Sequence, residues 1–193
     1  MKKTFIDCGA NKGDDIRNFV KHDNFSEIIA FECNEECIGH LKLLQAEIPF
    51  RLIEKAVSIS DEGATFYVGE SDISGSIVKD KKMRMHPKGL RVEVKSVDFS
   101  SWLLQNFSVD DYIVLSFDIE GAEYSILEKM FDDDSISLVN EIYLEFHLKQ
   151  CKSKNITEER ERLLKTRLID KFKDKIYIHR GHQHEIFKKL NHC

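Results

Sequence analysis

The sequence predicts an α/β fold with a mainly parallel seven-stranded sheet and helices on both faces. Short apolar runs alternate with segments of helical spacing along most of the chain, which is typical of strand–helix–strand units with parallel strands. Acids directly follow several apolar runs, and parallel sheets bind ligands at the carboxyl ends of their strands. With 193 residues and two prolines, the chain is expected to form one domain over residues 1–193, without a flexible linker.

In the first half of the chain, three apolar runs predict strands at residues 4–8, 27–31 and 50–58. Helical spacing between these runs predicts helices at 14–21 and 35–47. Residues 64–97 alternate in the manner of strands and loops, and 99–107 are expected to form a helix.

In the second half, core strands are predicted at residues 112–118 and 141–147, with helices at 122–131 and 157–172. The runs KIYIHR and EIFKKL, at 175–180 and 185–190, predict a closing antiparallel hairpin around Gly181.

The composition argues against several classes of protein. A formal net charge of −5 is unfavourable for a dedicated nucleic-acid binder. An odd number of cysteines without a CxxC pair indicates reduced thiols and a cytoplasmic location; the five are Cys8, Cys33, Cys37, Cys151 and Cys193. The N-terminus lacks the apolar core of a signal peptide, and no apolar run reaches the length of a membrane span.

The motif DCGANKG, from Asp7 to Gly13, predicts a tight turn between the first strand and the first helix. Its spacing does not match the G-x-G-x-x-G fingerprint of dinucleotide-binding proteins. An acid directly before the turn suits a cationic group, such as the amino group of an amino-acid-like ligand. The alternative is a tight turn without a ligand.

Glu32 ends the second predicted strand, where an acid can accept hydrogen bonds from ribose hydroxyls. The alternative is a solvated acid at a strand end. Together with the glycine motif, Glu32 points to a nucleoside with a cationic, amino-acid-like tail. S-adenosylmethionine has this chemistry.

Five segments resemble the FkbM-type methyltransferases: FIDCGANKGDD, IIAFECNEE, EKAVS, SFDIEGAEYSIL and EIYLEFH. The resemblance covers residues 5–147. It implies a Rossmann-like class I methyltransferase fold, S-adenosylmethionine as methyl donor, and transfer to a hydroxyl of a sugar or small metabolite. By motif it assigns donor binding to Asp7, Gly9, Asn11, Gly13 and Glu32, and it places Asp118, Glu120 and Glu123 at the mouth of the active site.

Two positions differ from the family pattern. Cys33 stands where the family usually has proline after the strand-end acid, which is expected to alter the loop and keep ribose binding. Ser116 stands where a lysine usually precedes the aspartate by two residues, which leaves the acceptor open. Because the chain begins almost at the first strand, acceptor recognition is expected from internal loops or from a partner.

A hydroxyl is a weak nucleophile and needs a general base or a metal ion. Asp118 and Glu145 end neighbouring predicted strands and are the first candidates for the base; His147 is a second. A hard cation such as Mg²⁺ or Mn²⁺, bridging Asp118 and Glu145, would also relieve the repulsion between carboxylates. Alternatively, Glu120 or Glu123 caps the following helix.

Residues 77–95 contain seven basic and two acidic residues. This stretch, and Lys79 to Lys95 within it, could steer an anionic acceptor; a solvated loop is the alternative. We expect a small-molecule or glycan hydroxyl as acceptor, with nucleic acid less favoured and no membrane partner. The rival hypotheses are a nucleic-acid or protein methyltransferase on the same fold and a donor-binding accessory subunit without turnover.

Overall fold

The computed structural model describes residues 1–70, 75–79, 81, 89–148 and 156–179. Its ten strands are, in chain order, β1 (Lys3–Cys8), β2 (Glu27–Phe31), β3 (Arg51–Ile53), β4 (Ala56–Ser58), β5 (Ala64–Tyr67), β6 (Arg91–Val94), β7 (Ser96–Asp98), β8 (Tyr112–Phe117), β9 (Val139–Glu145) and β10 (Ile176–His179). The helices are α1 (Asp14–His22), α2 (Glu35–Leu44), α3 (Phe99–Asn106), α4 (Glu123–Asp132) and α5 (Glu158–Phe172), with a short 3-10 helix at Ser135–Leu138.

The central sheet has six strands in the described part of the chain, in the order β10-β9-β8-β1-β2-β3. Every pairing in it is parallel. The predicted mainly parallel sheet is therefore confirmed. Of the predicted hairpin, the first run at 175–180 contains β10, whereas the turn at Gly181 and the second run at 185–190 lie outside the described residues.

Both faces of this sheet are covered. Alternate side chains of a strand point to opposite faces, so Phe5 packs with Ile16 and Leu41 of α1 and α2. Its neighbour Ile6 belongs to the other buried cluster, which includes Leu103, Leu127 and Leu168 of α3, α4 and α5. Burial on both sides explains why the strands are continuous apolar runs in the sequence.

Residues 50–58, predicted as one strand, instead form two short strands in different sheets. β3 pairs with β2 at the edge of the central sheet, whereas β4 pairs with β7. The backbone changes direction at Lys55, whose amide donates to the carbonyl of Ile53 at 2.8 Å. The prediction of a single strand was wrong because an apolar run does not reveal where a chain leaves one sheet for another.

A small antiparallel pair, β5 with β6, stands beside the carboxyl ends of the central strands. Gly75 lies so close to the ring of Phe66 on β5 that a β-carbon at this glycine would overlap the ring. The next residue, Ser76, forms an antiparallel bridge with Tyr67. Residues 75–77 form one wall of the crevice described next.

Candidate active site

A crevice of about 480 Å³ opens at the carboxyl ends of β1, β2, β8 and β9. Its size is within the range of small-molecule sites, roughly 300–1,000 Å³. The acids that line it come from four strand ends and from α1: Asp7, Asp14, Asp15, Glu32, Asp118, Glu120 and Glu145. The crevice therefore brings together most of the acids that the sequence singled out.

The glycine turn after β1 joins three strands. The amides of Gly9 and Ala10 both donate to the carbonyl of Phe31 on β2, each at 3.0 Å. Gly9 has a φ of +86°, and a β-carbon there would overlap the carbonyl oxygen of Asp118 at the end of β8. Gly9 is thus required for the close approach of two protein segments as well as for the backbone conformation.

Gly13 lies at the other end of the turn, with a φ of +85°, directly before α1. A β-carbon here would overlap the side chain of Leu44 on α2. Between the two glycines, Asn11 also adopts the left-handed conformation, with a φ of +47°. The turn therefore presents its backbone to the crevice in a shape that few sequences tolerate.

The carboxylate of Glu32 accepts three backbone hydrogen bonds, each 2.8 Å long, from Asn11, Cys33 and Asn34. It thereby ties the turn after β1 to the start of α2. Burial raises the pKa of Glu32, although these three hydrogen bonds act in the opposite direction. Sequence reasoning predicted the position of Glu32 and missed these contacts.

Asp7 is 2% exposed, and its Oδ2 atom has no hydrogen-bond partner within the described residues. Burial raises the pKa of Asp7 well above its ordinary value of 3.8, and the charges of Asp15, Asp118 and Glu32 raise it further. A buried acid that lines a crevice without a partner is costly unless a ligand supplies one. A cationic ligand group meets this need.

Asp118 begins the acidic block after β8. Its side chain is 42% exposed, yet its Oδ1 atom is buried and unpaired by a hydrogen bond in the described structure. Burial raises the pKa of Asp118 from its ordinary value of 3.8 to about 7. The positive charge of His147 opposes this rise, and the charges of Glu145, Glu123 and Asp15 add to it.

His147 lies behind this row of acids. It is 4% exposed, and its Nδ1 atom is 2.9 Å from Oε1 of Glu123. Its Nε2 atom lies 3.5 Å from Asp118, 3.3 Å from Glu120 and 3.8 Å from Glu145. Burial lowers the pKa of His147, but the hydrogen bond to Glu123 and the nearby acidic charges outweigh burial and raise it. These contacts favour the imidazolium form of His147, whose positive charge balances the acidic block.

Glu123 is fully buried and is not among the residues that line the crevice. It therefore does not lie at the mouth, where the family resemblance led us to expect it. Its Oε1 atom accepts from the amide of Ile119 at 3.2 Å, and its Oε2 atom has no partner in the described part of the chain. Glu123 closes the turn before α4 and orients His147.

Glu120 connects the acidic block to Lys81 and to the crevice wall formed by residues 75–77. Ser76 donates to the Glu120 carbonyl at 2.7 Å, and Lys81 forms an ion pair with the carboxylate. Lys81 is only 8% exposed. Of the basic stretch at 77–95, none of the described lysines or arginines lines the crevice, so steering of an anionic acceptor is not supported by them.

Ser116, which stands where the family usually has lysine, is buried and donates to Oδ2 of Asp15 at 2.8 Å. Sequence reasoning did not identify Asp15 as a site residue, because an acid in the first turn of a helix is explained by the helix dipole alone. The signal that could have identified Asp15 is Ser116. A serine at this position, where the family usually has lysine, leaves room for a contact between α1 and β8.

One group of described residues has the spacing of a metal site: ligand atoms of Asp118, Glu123 and His147 lie within 4.8 Å of one another. Glu145, predicted as the partner of Asp118, is not in this group. A histidine must be unprotonated to bind a metal, but the contacts of His147 favour the imidazolium. The group offers a metal ion two carboxylates and one imidazole; without an ion, the same contacts favour a protonated histidine.

Comparison with known proteins identifies the family. A family model described as the methyltransferase FkbM domain matches residues 7–177, which include every donor-binding and catalytic candidate named from the sequence. No curated protein and no solved structure matches the chain significantly. Among the described helices, none is both long and apolar enough to cross a membrane.

Proposed function

The chain belongs to the FkbM methyltransferase family, and we propose that it transfers a methyl group from S-adenosylmethionine to a hydroxyl oxygen of an uncharged small molecule or glycan. The family makes the chain a methyltransferase and implies S-adenosylmethionine as the donor. The observation that carries the rest of the proposal is the half-exposed Asp118, placed in the same crevice as the unpaired Asp7. The donor supplies an electrophilic methyl group on a sulfonium.

At the donor end of the crevice, Asp7, which lines it, would bind the donor's amino group through its carboxylate. Gly9, Asn11 and Gly13 would shape the backbone around the amino-acid tail. Glu32 would accept from the ribose hydroxyls, because each carboxylate oxygen has lone pairs beyond those used by the backbone amides. A donor that supplies an ammonium and two hydroxyls would complement this set.

At the acceptor end, Asp118 would act as the general base. Proton transfer is most efficient when the pKa of the base is close to the operating pH. The pKa of Asp118, about 7, meets this condition near neutral pH. Glu145 lines the crevice beside it and would hold the hydroxyl in line with the methyl group. His147 would act as a positioning residue, since it lies behind Asp118 and stabilises the ionised carboxylate.

The charge of the crevice supports an uncharged acceptor. Its lining contains seven acids but, among the described residues, only two lysines, Lys12 and Lys55. A phosphate would be repelled by this field, which disfavours phosphorylated sugars and nucleic acids as acceptors. A neutral acceptor that carries a hydroxyl group avoids this repulsion.

Two experiments test the proposal. Calorimetric titration should detect binding of S-adenosylmethionine and S-adenosylhomocysteine but not of NAD; NAD binding alone would overturn it. Incubation of methyl-¹³C donor with a small-molecule extract should then yield a new methoxy carbon signal. A labelled N-methyl group, or label in protein or nucleic acid, would contradict O-methylation of a small molecule. Donor binding without any product would support the accessory-subunit alternative.

The metal alternative is tested in the same assay. If Asp118 acts as a base, treatment with EDTA leaves turnover unchanged. Turnover that is lost with EDTA and restored by Mg²⁺ or Mn²⁺ would instead show a metal-assisted reaction.

A further inference from the structure

We propose that Asp118 also recognises the positive charge of the methyl donor, so that the crevice binds S-adenosylmethionine more tightly than its neutral product, S-adenosylhomocysteine. This inference rests on the proposed function. It adds a second role for Asp118, selection of donor over product, to its role as base.

The first support is the shortage of positive charge near Asp118. Two of the basic groups close to the crevice are engaged with other acids: Arg17 lies 3.7 Å from Asp14, and Lys81 pairs with Glu120. Among the ion pairs of the described residues, Asp118 contacts only His147, which it shares with three other acids. The crevice lining holds seven acids but, among the described residues, only two lysines, so negative charge is in excess around Asp118.

The second support is the placement of two acids along the crevice. Asp7 has a buried Oδ2 atom without a hydrogen-bond partner in the described structure, and Asp118, whose Oδ1 atom lies 3.5 Å from Nε2 of His147, leaves 42% of its side chain exposed. Asp7 is 98% buried, since it is only 2% exposed. Two acids placed in this way along one crevice suit a ligand with two cationic groups. The donor has two, the ammonium and the sulfonium, whereas the product keeps only the ammonium.

The third support comes from the geometry of methyl transfer. The base must hydrogen-bond the acceptor hydroxyl, and the hydroxyl must face the methyl group in line with the carbon–sulfur bond. These two requirements place the base roughly 6 Å from the sulfonium. Opposite charges at that distance attract each other more strongly beside a protein wall than in bulk water.

The reaction then removes this attraction. The hydroxyl oxygen forms a bond to the methyl carbon, the carbon–sulfur bond breaks, and its electron pair stays on sulfur. The hydroxyl proton moves to Asp118. One negative and one positive charge disappear together, so the product complex lacks the ion pair that held the donor, and product release becomes easier.

The test is calorimetric titration with three ligands: S-adenosylmethionine, S-adenosylhomocysteine, and sinefungin, whose ammonium group replaces the methylated sulfonium. The wild-type protein should bind the two ligands that carry the second charge about 10-fold more tightly than the product. Asp118→Asn should reduce this preference to about 2-fold, with little change in product affinity. Asp118→Glu, which keeps the charge, should retain most of it.

Asp110→Asn is the matched control, because Asp110 is an exposed acid in the loop before β8. It should behave as the wild type does. A wild-type protein that binds the product as tightly as the donor would overturn the inference, as would an Asp118→Asn variant that weakens all three ligands equally. Failure of the wild-type protein to bind any of them would instead contradict the proposed function.

Discussion

Glu32 and Asp118 both lie where a parallel strand of the central sheet ends, but the protein surrounds them differently. Glu32 is held by three backbone amides. Asp118 is surrounded by charged side chains: His147, Glu145, Glu123 and Asp15. A backbone amide cannot titrate, so the surroundings of Glu32 are permanent, whereas the charge beside Asp118 depends on the protonation of His147.

This difference explains how one crevice can serve two purposes. Fixed donors keep the Glu32 loop in one conformation, which favours binding of a preformed ligand shape. Burial, together with the neighbouring charges, brings the pKa of Asp118 to about 7, so that this carboxyl exchanges a proton at neutral pH. The donor end of the crevice is therefore suited to rigid binding, and the acceptor end is suited to proton transfer.

Gly9 joins the two ends, and its replacement should have the largest effect. Gly9→Val would force a side chain into the Asp118 carbonyl at a φ of +86°. We expect the free energy of unfolding to fall by roughly 3–5 kcal/mol and donor binding to be lost. Urea denaturation and calorimetry measure both.

Gly39→Ala is the matched control for Gly9→Val, because Gly39 lies within α2 and a β-carbon there meets nothing within 4 Å. It should stabilise the protein by about 0.5–1 kcal/mol through its higher helix propensity. If both glycine variants behaved alike, the close approach of Gly9 to Asp118 would have no structural importance.

Glu32→Ala tests the donor end of the crevice. Loss of three charge-assisted hydrogen bonds should lower the free energy of unfolding by about 1–3 kcal/mol and weaken donor binding by a similar amount. Thermal denaturation and calorimetric titration give the two values. Glu47→Ala, which removes an exposed acid after α2, is the control. Normal donor affinity in Glu32→Ala would show that the three hydrogen bonds of Glu32 do not help the turn after β1 to bind the donor.

Asp118→Asn should have a smaller, pH-dependent effect on stability. A folded-state pKa of about 7, raised from 3.8, means that Asp118 supports folding at low pH and that this contribution is lost as pH rises toward and through 7. The neutral Asn should therefore stabilise the protein more at pH 8 than at pH 5. After allowance for solvent screening of this half-exposed side chain, we expect the difference to be about 1 kcal/mol.

The pH effect is measured as the melting temperature of the variant minus that of the wild type at the two pH values. Asp110→Asn, on the exposed loop, should show no such trend. A variant that is destabilised at pH 8 would mean that the charge of Asp118 holds the fold together.

Much of the fold could be predicted from the sequence, because buried parallel strands leave a continuous apolar signal. The predicted strand at 27–31 has the bounds of β2, and the helix at 14–21 differs from α1 by one residue. The division of 50–58 into β3 and β4 could not be predicted, since it depends on pairing with β7 some forty residues later.

The acids of the site could be predicted for a similar reason, because parallel strand ends share one edge of the sheet. The side chains that contact these acids could not be predicted from the sequence. The inward position of Glu123 depends on His147 across the fold, and the ion pair between Lys81 and Glu120 spans 39 residues. Such contacts depend on tertiary packing, which leaves no periodic signal in the chain.

The most direct test of the account is the turnover of Asp118→Asn at saturating donor, on the acceptor found with the labelled donor. This variant keeps the shape of the side chain and removes its charge. We expect a fall in turnover of about 100-fold or more, the usual effect of losing a positioned base, with the melting temperature maintained or raised and product affinity nearly unchanged. Full turnover in Asp118→Asn, or a variant that fails to fold, would contradict the role of Asp118 as the base.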